Sequence, residues 1–567
     1  MYNPGVGSPG RQYRDSWLNQ SVTSIREWAT ISNLTGLVGA LVAIYCLLLL
    51  PTTNYWNIRL PLYLAIAVWT ILRPRVALYL LPIAIPWGSL DSFNLGGLSL
   101  NSADILVALL SASWLMGFVL RRFMGQGETS SGTLDREGFN LPRYLAIAMV
   151  LLLLAMLISM PTAFNLSSSI KELSKWLEAL VVLLLGAQYI RTCRQLWMLV
   201  TIIILAAVSQ ALLGFAQAFL NLGPDAFVRD AGLRVYGTFG QPNPYAGYIN
   251  TGLCITVALA LLARGWAIQF LAAGATGLLA LALYLSQSRG GEIAITVALL
   301  LIVTMGLPQL HPLLKLGGIG ILGVVAAYLA GLLPDSLLAP MLRTLGLTSI
   351  SLTLPSKQDF STAERLAHWI AGIRMFQDHP FTGVGIGNYP DAYPHYFITI
   401  FVNPLGHAHN YYINIAAEAG IFGLVTFLLF LSAAFVAGAR SYQAINRQYA
   451  QNWKLRSGSL SHPASKKIKP SPGLLFSRPT LLTDALKRVP TKLRPAATNG
   501  LKKMLTNDRA LAVGLLASLL SVCVHNVVDN LYVHGMTILF SLLLVLLIRL
   551  EEMTLHIDNS GGQVDYQ

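Results

Sequence analysis

Long apolar runs set the terms for this chain. A membrane-crossing helix needs roughly 17–25 mostly apolar residues, because each adds 1.5 Å against a hydrocarbon core of about 30 Å. Runs that meet or approach this length lie near 33–51, 59–72, 76–89, 104–120, 144–161, 175–190, 195–219, 244–263, 266–286, 292–306, 315–333, 411–438, 510–528 and 533–550. The count is 14, or 12 if the short second, third and tenth runs do not all cross. The expected fold is therefore an all-α polytopic membrane bundle of 12–14 transmembrane helices. Only 11% of the 567 residues are charged, against about 25% in a soluble domain. That scarcity excludes an ordinary soluble enzyme and general disorder. Arg11, Arg14 and Arg26 precede the first run with no clear small-residue cleavage site, so that run reads as an uncleaved anchor.

Lysine and arginine near the run ends orient the chain. Arg73, Arg75, Arg121, Arg122, Arg191, Arg194, Arg264 and the stretch 439–509 fall alternately on one side, which is then cytoplasmic with both termini. The expected division is a cytoplasmic tail at 1–32, a first transmembrane bundle at 33–333 and a long extracytoplasmic loop with amphipathic helices at 334–410. A transmembrane helix at 411–438, a basic cytoplasmic loop at 439–509, a last hairpin at 510–550 and a cytoplasmic tail at 551–567 complete it. The basic loop holds 15 Lys and Arg against two Asp, a net of +13 out of +14 for the whole chain. The high isoelectric point is thus local and does not indicate nucleic-acid binding. Its Ser- and Pro-rich composition predicts disorder, and its charge suits anionic lipid. The four cysteines are scattered in or beside apolar runs, with neither metal-knuckle nor disulfide spacing.

The polar residues are distributed unevenly. Seven of ten histidines fall on the outer side, five of them in the long loop. Four clusters stand out there. In the first, Arg234 precedes a Gly- and Pro-rich turn carrying Asn243; it is either a snorkelling Arg at a helix start or an anion site for a lipid phosphate. In the second, Ser288-Arg289-Gly290-Gly291-Glu292 joins two apolar helices. Charges at that depth usually face a cavity or a partner, so Arg289 is functional or forms a turn-fixing pair with Glu292. In the third, 364–379 has helical spacing, with Leu366, Trp369, Ile370, Ile373 and Phe376 on one stripe and Arg365 and His368 on other faces. It reads as an amphipathic helix on the bilayer surface. The glycines that follow, Gly383, Gly385 and Gly387, lack a strand–helix context for a dinucleotide loop; they permit close backbone packing or form an anion nest. In the fourth, His407, His409 and Asn410 precede a run containing Gly420 and Gly423, opposite His525, Asn526 and Asp529 at the outer end of another.

A neutral imidazole can accept a proton near pH 7, and arginine forks bind phosphate while staying charged. Together they suit a lipid-linked phosphate donor and a hydroxyl acceptor. No Asp-x-Asp pair is present to hold a divalent metal. A zinc site drawn from His395, His407, His409 or His525 lacks an evident Cys or carboxylate to complete it, so no metal is expected. No Gly-x-Ser-x-Gly elbow occurs.

The run GTFGQPNPYAGY, the turn SRGG, the stretch ERLAHWIAGIRMFQDHPFTGVGIGNY and the element HNYYINIAAEAGIFG occur in that order on one face. Together they resemble the O-antigen ligase / O-antigen polymerase superfamily, over roughly 230–425. The resemblance implies a C-type membrane glycosyltransferase fold in the bacterial cytoplasmic membrane, with its site facing the exterior. It implies an undecaprenyl-diphosphate-linked glycan donor, a lipid, glycan or protein acceptor, and no cofactor or metal. By position, His409 matches the base that activates the acceptor hydroxyl, and Arg289 an arginine on the donor diphosphate. Arg234 and Arg365 match further basic positions, with Asn410, His407, Asn243, His525 and Asp529 in support. The basic stretch 439–509 is a departure from the family pattern. A transporter of bicarbonate or another small solute is the alternative, and a non-catalytic scaffold a third. Transporters gather polar groups at mid-membrane, whereas here they gather at one face.

Overall fold

A backbone in lipid has no water to bond to, so a spanning segment must satisfy its own N–H and C=O groups, and the helix is the form that does so alone. The structure, a computed structural model, describes residues 56–90, 92–95, 98–123, 141–229, 232–329, 352, 360–398, 400–458 and 494–559. It is a polytopic helical membrane protein. The helices are α1 (Trp56–Leu72), α2 (Arg75–Trp87), α3 (Ser102–Phe123), α4 (Arg143–Ser159), α5 (Leu166–Tyr189) and α6 (Cys193–Leu220). They continue with α7 (Pro242–Leu262), α8 (Trp266–Ser286), α9 (Arg289–Gly306), α10 (His311–Leu329), α11 (Phe360–Asp378) and α12 (Tyr389–Ala392). The last three are α13 (Tyr411–Gly458), α14 (Arg494–His525) and α15 (Met536–Asn559). Strand is confined, among the described residues, to two antiparallel hairpins, Ser92–Leu95 with Leu98–Asn101 and Val228–Arg229 with Gly232–Leu233.

Thirteen of the expected runs coincide with helices in the same order; the run 33–51 lies outside the described residues. Eight described helices are long and apolar enough to cross a membrane, and Asn57–Leu72 and Arg75–Trp87 are shorter apolar helices. Three helices form the centre: the apolar windows of α7 and α14 are each 83% buried, and α15 is buried throughout 536–551, against 22% for the peripheral α8. The exposed residues of the outer spans are themselves apolar, as at Leu205, Phe270 and Leu271, which is the surface a bilayer accepts. Proline is accommodated by side chains. Pro86 has no N–H for the carbonyl of Pro82, and the Tyr248 hydroxyl donates to that carbonyl instead at 3.1 Å.

Three expectations are corrected. First, disorder across 439–509 does not hold at its ends: α13 continues to Gly458 and α14 starts at Arg494, while 459–493 lies outside the described residues. The reason is local, since a helix already nucleated in the bilayer propagates through Ala, Gln and Arg at little cost. Second, the span expected at 411–438 is not one continuous helix. Gly420, with φ 63° and ψ −160°, breaks α13 into a stub and a long rod. Third, the buried face of α11 is not the bulky stripe. Ala363, Ala367, Ala371 and Met375 are buried beside His368, whereas Ile373 is exposed. Small side chains let α11 pack onto α13, so it is docked protein structure rather than a helix held by lipid alone.

Helix direction sorts the polar residues. The ends of α6 and α8 and the starts of α7 and α9 lie at one end of the bundle, with the end of α14 beside them, since Tyr411 at the start of α13 donates its N–H to Asn526 O at 2.8 Å. The opposite end carries Arg191, Arg194, Arg264, Arg440, Lys503 and Arg509.

Candidate active site

Four segments meet at the histidine-bearing end: the approach to α7, the α8–α9 turn, the approach to α13 and the turn after α14. Asn410 caps α13, its Oδ1 accepting from the N–H groups of Tyr412 at 2.9 Å and Ile413 at 3.1 Å. Asn414 reaches back to accept from Ala408 N–H at 3.0 Å. Asn526 Oδ1 accepts from Leu531 N–H at 2.8 Å, which closes the turn that carries Asp529.

These turns bring His407, His409 and Asp529 into contact. His407 Nε2 donates to Asp529 Oδ1 at 2.9 Å, and His409 Nδ1 stands 3.5 Å from the same oxygen. The two imidazoles meet edge to face with centroids 4.5 Å apart. Asn530 N–H also donates to Asp529 Oδ1, at 2.8 Å. Burial pushes the Asp529 carboxyl up, but His407 and His409 against it hold it well below the usual carboxylate range. His409 is shifted down from ordinary imidazole by burial, against the pull of Asp529, and further by His407 and Arg365. It is therefore neutral at pH 7.

His409 is held firmly. Its backbone is left-handed, with φ 53°, and Trp369 Nε1 donates to its carbonyl at 3.1 Å. The edge of His368 packs on it, centroids 5.6 Å apart, and His368 in turn stacks on Tyr393 at 4.6 Å. Tyr389 donates its hydroxyl to His368 O at 2.8 Å. Burial, then His409 and His407, push His368 to about 4, so it serves as neutral packing.

The arginines form a second group. Arg234 Nε donates to Ser286 O at 3.2 Å, and its Nη2 lies 3.4 Å from Gln287 O and from Asn243 Oδ1. Asn243 Oδ1 also accepts from the Ser288 hydroxyl at 2.9 Å, and Ser288 Oγ caps α9 by accepting from Gly291 N–H. Burial, then Arg229, Arg365 and Arg289, lower Arg234 to about 10, with Asp529 opposing. Arg229, Arg289 and Arg365 therefore share one field with it. Arg289, at the start of α9, is exposed and makes no ion pair with Glu292 among the described residues. The turn-fixing pair is thereby set aside. Arg365 also acts on His409, which links the two groups. His525 is 1% exposed and packs on Gly290; a Cβ there would lie 2.9 Å from its Nε2.

The glycine loop after α11 resolves to close backbone packing. A Cβ on Gly383 would meet Glu418 C at 2.3 Å, and one on Gly420 would meet Phe381 O at 2.2 Å. Val384 N–H donates to Ala417 O, and Ile421 N–H to Pro380 O. The loop is wedged into the break of α13 by these close contacts and backbone hydrogen bonds. Sequence reasoning missed Glu418 and Asn388, which fasten this wedge. Glu418 Oε1 accepts from Tyr389 N–H at 3.0 Å, and Asn388 Nδ2 donates to Ser169 Oγ at 2.8 Å. The available signal was a carboxylate inside an otherwise apolar run. The expectation that no carboxylate completes a His-x-His metal set is also corrected. Asp529 does so, its oxygen and the two ring nitrogens lying within 4.8 Å of one another. His395 stands apart, packed on Phe164.

Residues 274–428 match the family model described as O-antigen ligase (Wzy_C). The matched segment carries Arg289, Arg365, His368, His407, His409 and the broken start of α13. Over this segment the chain is similar to O-antigen ligases, in line with the resemblance to the O-antigen ligase/polymerase superfamily; the fold around it is that of a multi-pass membrane protein. No curated protein matches the chain.

Proposed function

We propose that the protein is a polyprenyl-diphosphate-dependent glycosyltransferase of the O-antigen ligase or polymerase type. It moves a glycan to an acceptor hydroxyl on the outer face of the bacterial cytoplasmic membrane, in cell-surface polysaccharide synthesis. The reading is supported above all by the contact of His407 and His409 with Asp529, beside the common field of Arg234, Arg289 and Arg365. With its proton assigned to Nδ1, facing Asp529, His409 offers Nε2 as the free base. The acceptor hydroxyl gives its proton to Nε2 as its oxygen bonds to the anomeric carbon. The bond from that carbon to the diphosphate oxygen breaks, and the electron pair leaves with the polyprenyl diphosphate. Arg289 and Arg365 meet the charge that develops there, while Arg234, bonded to two carbonyls, keeps the α8–α9 turn in shape. The basic residues at the opposite end of the bundle support a cytoplasmic position for that end.

The test is glycan transfer from a polyprenyl-diphosphate donor in proteoliposomes. His409→Ala is expected to lower turnover by about 10²–10⁴-fold, with unchanged gel-filtration behaviour. Arg289→Ala is expected to raise the donor KM by at least about tenfold. Full transfer by the His409 variant would discard the base assignment. Solute flux without transfer would favour the transporter.

A further inference from the structure

The sequence sets His407 and His409 side by side with no acidic neighbour, and the fold brings one from the turn after α14. We propose that His407 Nε2, His409 Nδ1 and Asp529 Oδ1 form a site for a divalent transition metal of the zinc type, and that an ion bound there switches the transferase off.

Geometry and donor chemistry carry the first half. Atoms each about 2.1 Å from one ion, at angles between 90° and 109°, stand roughly 3.0–3.4 Å apart. The two separations from Asp529 Oδ1 are 2.9 Å and 3.5 Å, and all three atoms fall within 4.8 Å of one another. The two edges to Asp529 are thus close to those of a bound ion, and rotation of the two rings toward each other closes the third. Two imidazoles and a carboxylate suit zinc, cobalt or nickel; magnesium and calcium prefer all-oxygen shells, and no thiolate is present to select copper(I). His409 Nδ1 lies 3.5 Å from Asp529 Oδ1, the outer limit of a hydrogen bond, so ligation there gives up little. The imidazole side chains are 20% and 18% exposed and Asp529 is 5% exposed, so an ion enters from the rim and meets a rigid, buried carboxylate. Three protein ligands leave a fourth position for water.

The second half rests on the base assignment proposed above. A metal on Nδ1 takes the lone pair of a neutral imidazole, and the ring proton is then carried by Nε2. Nε2 becomes a donor and can no longer accept the acceptor proton. The ion also takes Asp529 Oδ1 away from its role of orienting the ring.

The experiment uses the full chain, purified in detergent, stripped with EDTA and desalted. Zinc ions alone are titrated calorimetrically, metal content is measured after desalting, and cobalt ions are added to read the visible spectrum of a low-coordinate N/O site. One zinc per chain is expected. His407→Ala and the isosteric Asp529→Asn should each weaken binding by at least about tenfold, while His379→Ala, outside the cluster, leaves it unchanged. No bound zinc in the unaltered chain, or binding that survives His407→Ala in a variant with normal gel filtration, overturns the site. In proteoliposomes zinc should suppress transfer and EDTA restore it. Zinc bound at the site with transfer unaffected overturns the switch. Transfer that requires zinc overturns both the switch and the metal-free base. Zinc binding in a protein with no transfer under any condition leaves the site standing and removes the proposed activity.

Discussion

At the scale of single residues the chemistry turns on one oxygen, Oδ1 of Asp529, which faces two imidazoles at once. Asp529→Asn keeps the shape and removes the charge. It should lower transfer by about 10²–10⁴-fold, because the asparagine amide no longer fixes the His409 tautomer. The pH profile gives the sign. Burial lowers His409 below its ordinary value of about 6.5, so its base form persists as pH falls and the acid limb of the rate profile should lie below pH ~6.5. Asp529 pulls the ring upward. The residual activity of Asp529→Asn should therefore show a limb shifted to still lower pH, and a shift to higher pH would contradict the assignment. His409 and Asp529 were both legible in the sequence as polar groups at the ends of apolar runs. Their contact was not, because they are far apart in the chain and belong to turns whose direction depends on how α13 and α14 pack.

Elements were legible in proportion to their regularity. Run length alone located most of the helices, since a bilayer allows little else. What could not be read was irregular backbone. Residue spacing marks Gly420 only as a small residue inside an apolar run, yet it is where α13 breaks to admit the wedge of Pro380–Asn388. Such a break depends on a partner loop supplying hydrogen bonds, which residue spacing does not record. The bulky stripe of α11 misled for a related reason, because the Ala and Gly face does the packing. Gly420→Ala combines a left-handed φ with a Cβ 2.2 Å from Phe381 O. It should destabilise the protein by about 1–3 kcal/mol or more and reduce transfer. Gly274→Ala in α8, whose Cβ meets nothing within 4 Å, should raise stability by about 0.5–1 kcal/mol. Thermal unfolding in detergent, followed by circular dichroism, checks both, and equal effects at the two sites would contradict the wedge.

For the whole molecule the question is orientation. The candidate site lies at one end of the bundle and the arginine-rich ends of α5, α7 and α13 at the other. An impermeant thiol reagent should label Asp225→Cys in intact spheroplasts and Arg264→Cys only after permeabilisation; both positions are exposed in the bundle. The reverse pattern would invert the topology and put the site where nucleotide sugars, not polyprenyl carriers, are the expected donors.

The rod of α13 carries one more consequence. Past the break at Gly420 it runs continuously over 421–458, about 57 Å at 1.5 Å per residue, nearly twice the thickness of a hydrocarbon core. The portion past the bilayer is a shaft standing in the other compartment. Because the break at Gly420 is held by the loop packed into it, a load on the overhang is passed to that wedge before it reaches the short stub that follows His409.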